Sequence, residues 1–181
     1  MNLGFDLDGV LHPWHEGVWK RLTHEGYITS TFDEYWDRGW LDMKENQNIL
    51  FMNMVNDPLM YSSQAPYYGT IELLNSLKED GHKLWYITQR PPHLEYTTKA
   101  WVRHWKFPFQ DNLVRVDTSK RMVIIEKEID LFVDDAVRHV EDLKNYTKVL
   151  LVKRPYNKEV QENFDTISSV LEIGKYINGK E

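Results

Sequence analysis

Cysteine is absent from this chain of 181 residues, and so is any long apolar run. Without cysteine there is neither a disulfide framework nor a thiolate nucleophile to consider. No apolar segment approaches the roughly 18 residues of a membrane-spanning helix. The N-terminus begins directly with a predicted strand rather than with a charged and then apolar leader. We therefore expect a cytoplasmic protein that has no membrane partner.

A basic patch is also missing. The formal net charge is -6, and lysine and arginine form no run. Because a protein that binds long nucleic acids needs a concentration of positive charge, the composition disfavours such a partner. Small anions held through a metal ion remain compatible with it. With 41% hydrophobic residues, the chain can bury one core, as one domain with an appended subdomain; a homodimer is compatible with this composition.

The most informative segment that is present spans residues 4–10, with the sequence Gly-Phe-Asp-Leu-Asp-Gly-Val. Asp6 and Asp8 lie at the end of a predicted buried strand, where side chains at i and i+2 point to the same side. Gly9 lets the chain turn sharply away. Two adjacent like charges are costly, and Mg²⁺, which is often held by one or two carboxylates together with substrate phosphate, would remove that cost. The alternative is a strand followed by an ordinary Asp-Gly turn.

Polar side chains also follow two other predicted strands. The strand 130–134 ends in the acidic pair Asp134 and Asp135. The strand 83–88 leads into a hydroxyl, an amide and a guanidinium, those of Thr88, Gln89 and Arg90. In open α/β sheets, ligands bind at the carboxyl ends of the strands. Lys120 begins a predicted helix, where its ammonium group can serve as a point charge for phosphate or for a nucleophile.

Each of these residues also has a structural interpretation. Thr88 suits a strand without any further role, and Arg90 precedes two prolines and either marks a turn or contacts phosphate with both guanidinium edges. Lys127 competes with Lys120, but it lies at the predicted C-terminus of a helix, where a cation complements the helix dipole. Six of the seven histidines show no metal-ligand spacing, and we interpret them as surface or core residues: His12, His15, His82, His93, His104 and His139.

Strands and helices alternate from residue 70 onward, which predicts an α/β fold: a Rossmann-like parallel sheet with helices on both faces. The predicted strands are 2–8, 83–88, 113–116, 130–134 and 148–152, and the predicted helices of this part are 70–80, 94–105, 119–127, 136–145 and 166–177. Helices at 16–25, 31–38 and 45–56 interrupt the alternation, and Thr31 and Glu34 form a capping box. We expect residues 1–12 and 69–181 to form the core domain, and residues 13–68 to form a small helical subdomain inserted after the first strand.

The four separated elements, in this order, resemble the four motifs of the haloacid dehalogenase (HAD) superfamily of phosphohydrolases. Asp-x-Asp-Gly-Val, the strand that ends in Thr88, Lys120 and the pair Asp134-Asp135 carry the resemblance. The spacing and the helical insert are similar to the 5'(3')-deoxyribonucleotidase group. The resemblance implies that residues 13–68 are a helical cap that closes over the substrate.

The resemblance and the residue types together predict hydrolysis of phosphate monoesters through an aspartyl-phosphate. Asp6 is the predicted nucleophile, because a carboxylate that attacks phosphorus divides a slow reaction into two easier steps. Asp8 is the predicted general acid and base, two residues from the nucleophile. Thr88 would hydrogen-bond the transferring phosphoryl oxygens, and Lys120 would neutralise charge shared between the nucleophile and phosphate.

Mg²⁺ is the predicted cofactor, because the candidate ligands are all oxygens. Asp6 and Asp8 are candidate ligands, the latter also through its backbone carbonyl, and the third comes from the acidic pair. Whether Asp134 or Asp135 binds the ion directly is open at this stage.

The substrate is predicted to be a small phosphorylated molecule, with Thr88, Gln89 and Arg90 near its phosphate. The insert 13–68 is rich in aromatic residues, most of which we expect in its core. Candidates to stack on a nucleobase are Trp14, Trp36 and Trp40.

Three functional interpretations follow. The first is a phosphatase or nucleotidase that acts on (deoxy)nucleoside monophosphates. The second is a phosphatase that acts on a sugar phosphate or on a polynucleotide 3'-phosphate end, although the acidic balance disfavours the latter. The third is a non-catalytic phosphate-binding module, which would be expected to lack one of the catalytic residues, and none is lacking.

Overall fold

The structure is a computed structural model that describes residues 1–37 and 44–177. In this part of the chain, six strands form one sheet in the order β3-β2-β1-β4-β5-β6, and every neighbouring pair is parallel. The strands are β1 Asn2–Phe5, β2 Lys83–Thr88, β3 Leu113–Arg115, β4 Leu131–Asp134, β5 Lys148–Val152 and β6 Thr166–Ile167. The predicted α/β fold with a parallel sheet is therefore confirmed.

The helices of the described chain fall between and after these strands. They are α1 Trp14–His24, α2 Phe32–Asp37, α3 Glu45–Asn56, α4 Pro58–Ser62, α5 Thr70–Glu79, α6 Glu95–His104, α7 Arg121–Glu126, α8 Val137–Leu143 and α9 Gly174–Ile177. Short 3₁₀ segments occupy Pro92–Leu94, Gln110–Asn112, Pro155–Asn163 and Val170–Glu172. The predicted capping box is present, since Thr31 N–H donates to Glu34 Oε2 over 2.9 Å. None of the described helices has the length and apolarity that crossing a membrane requires.

The two faces of the sheet bury separate hydrophobic clusters. Alternate residues of β2 divide between them, because successive side chains of a strand point to opposite faces. Leu84 and Tyr86 pack with α5 and α6 on one face, whereas Trp85 and Ile87 pack with α7 and α8 on the other. Helices thus cover both faces of the sheet. Because the strands are parallel, their carboxyl ends all lie at one edge.

The helices between β1 and α5 build a third cluster. Its buried members come mostly from α1 to α4: Trp14, Val18, Leu22, Tyr35, Trp36, Met54 and Tyr61, together with Leu94. Aromatic residues supply much of this cluster, because large rings bury the most area per residue in a small subdomain. The division into core domain and cap stays a prediction.

The predicted helix 166–177 is wrong. Thr166–Ile167 is the edge strand β6, and the backbone N–H of Lys153 donates to Ile167 O over 2.8 Å. The chain then forms a 3₁₀ turn at Val170–Glu172 and only one turn of helix, α9. The buried residues Ile167, Val170 and Ile173 recur every three positions, which imitates a helical apolar face. Pairing with β5 outweighed that pattern, as β-branched Thr and Ile suit a strand.

Candidate active site

Polar residues that follow β1, β2 and β4 meet at one edge of the sheet, because these three strands are parallel neighbours. β1 ends at Phe5, earlier than predicted, although Asp6 N–H still donates to Val133 O of β4 over 2.9 Å. The chain then turns tightly, and Gly9 adopts a positive φ of 79°. Asp6 and Asp8 consequently contact different partners.

Asp6, Asp134 and Asp135 form a buried cluster of carboxylates. One ligand atom from each lies within 4.8 Å of the others. Burial raises the pKa of Asp6 to about 6, and burial together with the charges of Asp134 and Asp6 raises the pKa of Asp135 well above its ordinary value. Buried like charges resist ionisation in this way unless a cation compensates them. The cluster offers only oxygen ligands, which suit a hard divalent cation.

Lys120 supplies positive charge to this cluster. Its side chain is 1% exposed, and its Nζ lies 2.7 Å from Asp6 Oδ1 and 2.6 Å from Asp134 Oδ2. Burial opposes the charged ammonium, but Asp134 and Asp6 outweigh it and raise the pKa of Lys120. Lys127, the competing lysine, pairs with its neighbour Glu126. The structure therefore places Lys120, rather than Lys127, beside Asp6.

Asp8 is held by a guanidinium instead of joining the acidic cluster. Arg90 Nε donates to Asp8 Oδ2 over 2.8 Å and Nη2 donates to Oδ1 over 2.7 Å. His12 Nδ1 lies 3.0 Å from Asp8 Oδ1. Burial would raise the pKa of Asp8, but Arg90 and His12 hold it well below its usual range. The Arg90 guanidinium itself lies over the rings of Tyr61 and Trp101, which also hold it in place.

The two aspartates of the acidic pair differ in how their oxygens are engaged. Asp134 Oδ1 accepts from Ala136 N–H over 2.9 Å, and its Oδ2 meets both Lys120 and, at 3.0 Å, His139 Nδ1. These partners hold the pKa of Asp134 below its ordinary value despite burial. His139 Nε2 in turn lies 2.9 Å from Gln89 Oε1. Gln89 therefore connects to the acidic pair through His139, a contact that the sequence interpretation missed.

Asp135 has a different partner, Tyr156. The Tyr156 hydroxyl donates to Asp135 Oδ2, and burial and the Asp135 charge raise the pKa of Tyr156 well above its ordinary value. The sequence interpretation missed Tyr156 as well. A signal was available, because Tyr156 follows the carboxyl end of β5, the same position that singled out Thr88 and Asp134.

An open cleft of about 320 Å³ lies at this edge of the sheet. Its lining combines polar residues from the strand ends with aromatic and apolar residues from α1, α3 and α4: Asp6, Asp8, Thr88, Gln89, Arg90, Asp135, Arg138, His139, Trp14, His15, Val55, Tyr61, Pro91, Ala136 and Tyr156. Thr88 Oγ1 accepts from Arg90 N–H over 3.2 Å.

The three candidate tryptophans differ. Trp14 lines the cleft and packs edge-on against Phe51. Trp36 is buried against Tyr35 and His15 and is not part of the cleft lining given by the described residues. Trp40 lies outside the described residues. Of the predicted stacking residues, the structure therefore brings only Trp14 to the cleft within the part it describes.

Comparisons with known proteins identify relatives of this sequence and of this fold. No protein-family model matches the sequence. A protein of Oceanobacillus iheyensis that bears the name "Putative nucleotidase" is 30% identical over 176 residues, which cover 87% of this chain and 89% of that protein. A HAD-superfamily hydrolase of Ehrlichia chaffeensis superposes with a TM-score of 0.62 at 14% identity and covers 98% of this chain and 95% of its own.

A HAD-family hydrolase of Deinococcus radiodurans, solved with bound phosphate and sodium, superposes with a TM-score of 0.63 at 13% identity and covers 98% of this chain and 96% of its own. At these identities the solved structures establish the fold alone. The Oceanobacillus protein, at 30% identity, is related to this chain by sequence. The chain has the fold of these HAD-family hydrolases, and it belongs to the family of the Oceanobacillus protein that bears the nucleotidase name.

Proposed function

We propose that this protein is a Mg²⁺-dependent phosphatase that hydrolyses nucleoside monophosphates through an aspartyl-phosphate. The observation that carries the proposal is the position of Lys120 Nζ, within 2.7 Å of Asp6 and 2.6 Å of Asp134 in a buried acidic cluster. This cation can neutralise the carboxylate of Asp6 and an incoming phosphate together, which a carboxylate nucleophile requires.

The residues present fit a magnesium ion. Asp6 and Asp135 supply carboxylate oxygens beside each other, and the Asp8 backbone carbonyl is the further candidate ligand. Asp135 is the better candidate for direct binding, because both oxygens of Asp134 already accept hydrogen bonds. Among the described contacts, Asp135 Oδ1 has no donor. When bound there, Mg²⁺ would offset the repulsion between Asp6 and the anionic phosphate.

The side chains divide the remaining chemistry. Asp6 would attack phosphorus, and the Thr88 hydroxyl at the cleft would hydrogen-bond the transferring phosphoryl oxygens. Asp8, held as a carboxylate by Arg90, is in the form that accepts a proton from the water of the second step. An incoming phosphate would compete for the Arg90 guanidinium. That competition would raise the pKa of Asp8, so that its carboxylate could take a proton from solvent and give it to the leaving oxygen in the first step; the attacking water of the second step would return a proton to Asp8.

Two observations support the proposed substrate class: the residues that line the cleft and the name of a related protein. The cleft has a volume of about 320 Å³, and its lining includes both the polar strand ends and an aromatic wall that contains Trp14 and Tyr61. Such a wall suits a nucleobase, since every base has a face on which an aromatic ring can stack. The related Oceanobacillus protein bears a nucleotidase name. We propose that residues 13–68 act as the cap that places this wall over the leaving group.

The experiment that tests this function is a phosphate-release assay over 5'- and 3'-nucleotides and sugar phosphates, with Mg²⁺ and with EDTA. We expect nucleoside monophosphates to be preferred, turnover to require Mg²⁺, and Asp6→Asn to lower kcat by several orders of magnitude while the protein stays folded. Full activity in EDTA or in Asp6→Asn would refute the mechanism. A preference for sugar phosphates would refute only the substrate class.

A further inference from the structure

The segment that follows β5 forms hydrogen bonds with Gly9 and with Asp135 of the acidic cluster. The Arg154 guanidinium donates through Nε to Gly9 O over 2.9 Å. Asn157 Nδ2 donates to the backbone oxygen of Asp135 over 2.9 Å. Between them, the Tyr156 hydroxyl donates to the Asp135 carboxylate. Three side chains within four residues therefore hold both the turn after β1 and the backbone and side chain of Asp135.

The Tyr156 contact restricts how the Asp135 carboxylate can turn. With Oδ2 bonded to Tyr156, Oδ1 is the oxygen that remains available as a ligand. Gly9 makes room for this arrangement, because a Cβ at that position would lie 1.9 Å from Asp135 Oδ2 and 3.0 Å from the Tyr156 hydroxyl. The close approach of the turn, the carboxylate and the phenol requires a glycine there.

The ring of Tyr156 is fixed by the helices inserted after β1. It tilts against the His15 ring with 4.7 Å between centroids and meets the Trp36 ring edge-on at 5.8 Å. These contacts orient the hydroxyl independently of its hydrogen bond. A phenylalanine at position 156 therefore retains the ring packing and removes only the hydroxyl, which donates to Asp135 and lies 3.5 Å from His15 Nδ1.

We propose that Tyr156 is a positioning residue that holds Asp135 in the orientation in which its free oxygen binds the divalent cation. The inference rests on the metal site of the proposed function. Groups that hydrogen-bond a metal ligand commonly contribute a factor of about 10 to 100 in metal affinity, because they orient the ligand before the ion arrives.

The test measures Mn²⁺ binding to the substrate-free protein by the electron paramagnetic resonance signal of free Mn²⁺. We expect Tyr156→Phe to bind Mn²⁺ about 10-fold to 100-fold more weakly than the wild-type protein. Tyr86→Phe is the matched control, because it removes a buried tyrosine hydroxyl that donates to Pro108 O in the core. We expect its Mn²⁺ affinity to equal that of the wild-type protein.

A second measurement separates positioning from a general loss of structure. With saturating Mg²⁺, phosphate release by Tyr156→Phe should recover most of the wild-type kcat, whereas a damaged fold would not recover. Mn²⁺ affinity within twofold of the wild-type value in Tyr156→Phe, or in Asp135→Asn, would overturn the inference even if the enzyme hydrolyses nucleotides. Weakened binding in both variants of a protein that releases no phosphate would uphold the inference and refute the proposed function.

Discussion

Replacing Lys120 by methionine should weaken the fold as well as the chemistry. The substitution keeps a long apolar side chain of similar reach and removes the ammonium group from between Asp6 and Asp134. Both carboxylates are buried, as is Asp135 beside them. The variant therefore confines several acidic groups in a small volume without their central cation.

The magnitude follows from the burial of the lysine. Because Lys120 is 1% exposed, solvent screens its ion pairs little, and removal of one partner of a buried pair costs about 3 to 5 kcal/mol of unfolding free energy. For a domain of this size, about 2 to 4 °C of Tm is lost per kcal/mol. We therefore expect Tm to fall by about 6 to 20 °C.

The pH dependence has a definite sign. In the wild-type protein the Lys120 pair helps to depress the pKa of Asp134, so its contribution is present above the ordinary aspartate pKa and is lost as the pH falls through the depressed one. In the variant, burial without the ammonium raises the carboxylate pKa values instead. The deficit should therefore be larger at pH 7.5 than at pH 5, where protonation removes the repulsion.

The assay is urea unfolding in EDTA, with linear extrapolation to water. Lys127→Met is the control, since Lys127 is 29% exposed and pairs with the exposed Glu126; such a pair contributes less than about 1 kcal/mol. Saturating Mg²⁺ should restore part of the Lys120→Met stability, because the ion supplies positive charge at the same carboxylates. An unfolding free energy for Lys120→Met within 1 kcal/mol of the wild-type value at pH 7.5 would refute the reasoning.

Two further predictions concern metal binding and the aromatic wall. Because the pKa of Asp6 is about 6 without metal, Mn²⁺ affinity should fall by about tenfold or more from pH 7 to pH 5, as protons displace the ion; calorimetric titration that finds no change would contradict this. Trp14→Ala should raise KM for nucleotides more than for p-nitrophenyl phosphate, by about 5-fold to 150-fold in relative kcat/KM. Both tryptophans are buried in the third cluster, so both substitutions should lower Tm. Trp36→Ala, away from the cleft lining, should depress activity on both substrates equally; the same preference between substrates in the two variants would contradict the assignment.

Local patterns in the sequence were sufficient for five of the six strands that the described sheet contains and for most of the strand-end residues. Alternation and apolar runs are properties of neighbouring residues, so β2 and β4 could be predicted together with the polar groups at their ends. The same locality explains the error at 166–177, where a spacing of three apolar residues imitates a helix. Only the vacant edge beside β5 made Thr166–Ile167 a strand.

The sequence by itself determined that Asp6, Thr88 and Asp134 belong to one edge of a parallel sheet, because strand direction alone brings those ends together. The tertiary structure decided the partners of each charge. Arg90 meets Asp8 across 82 positions of the chain, and Tyr156 meets Asp135 across 21. Such contacts depend on how helices and loops pack over the sheet. No local pattern encodes that packing, and for this reason the contact between Tyr156 and Asp135 emerged only from the folded structure.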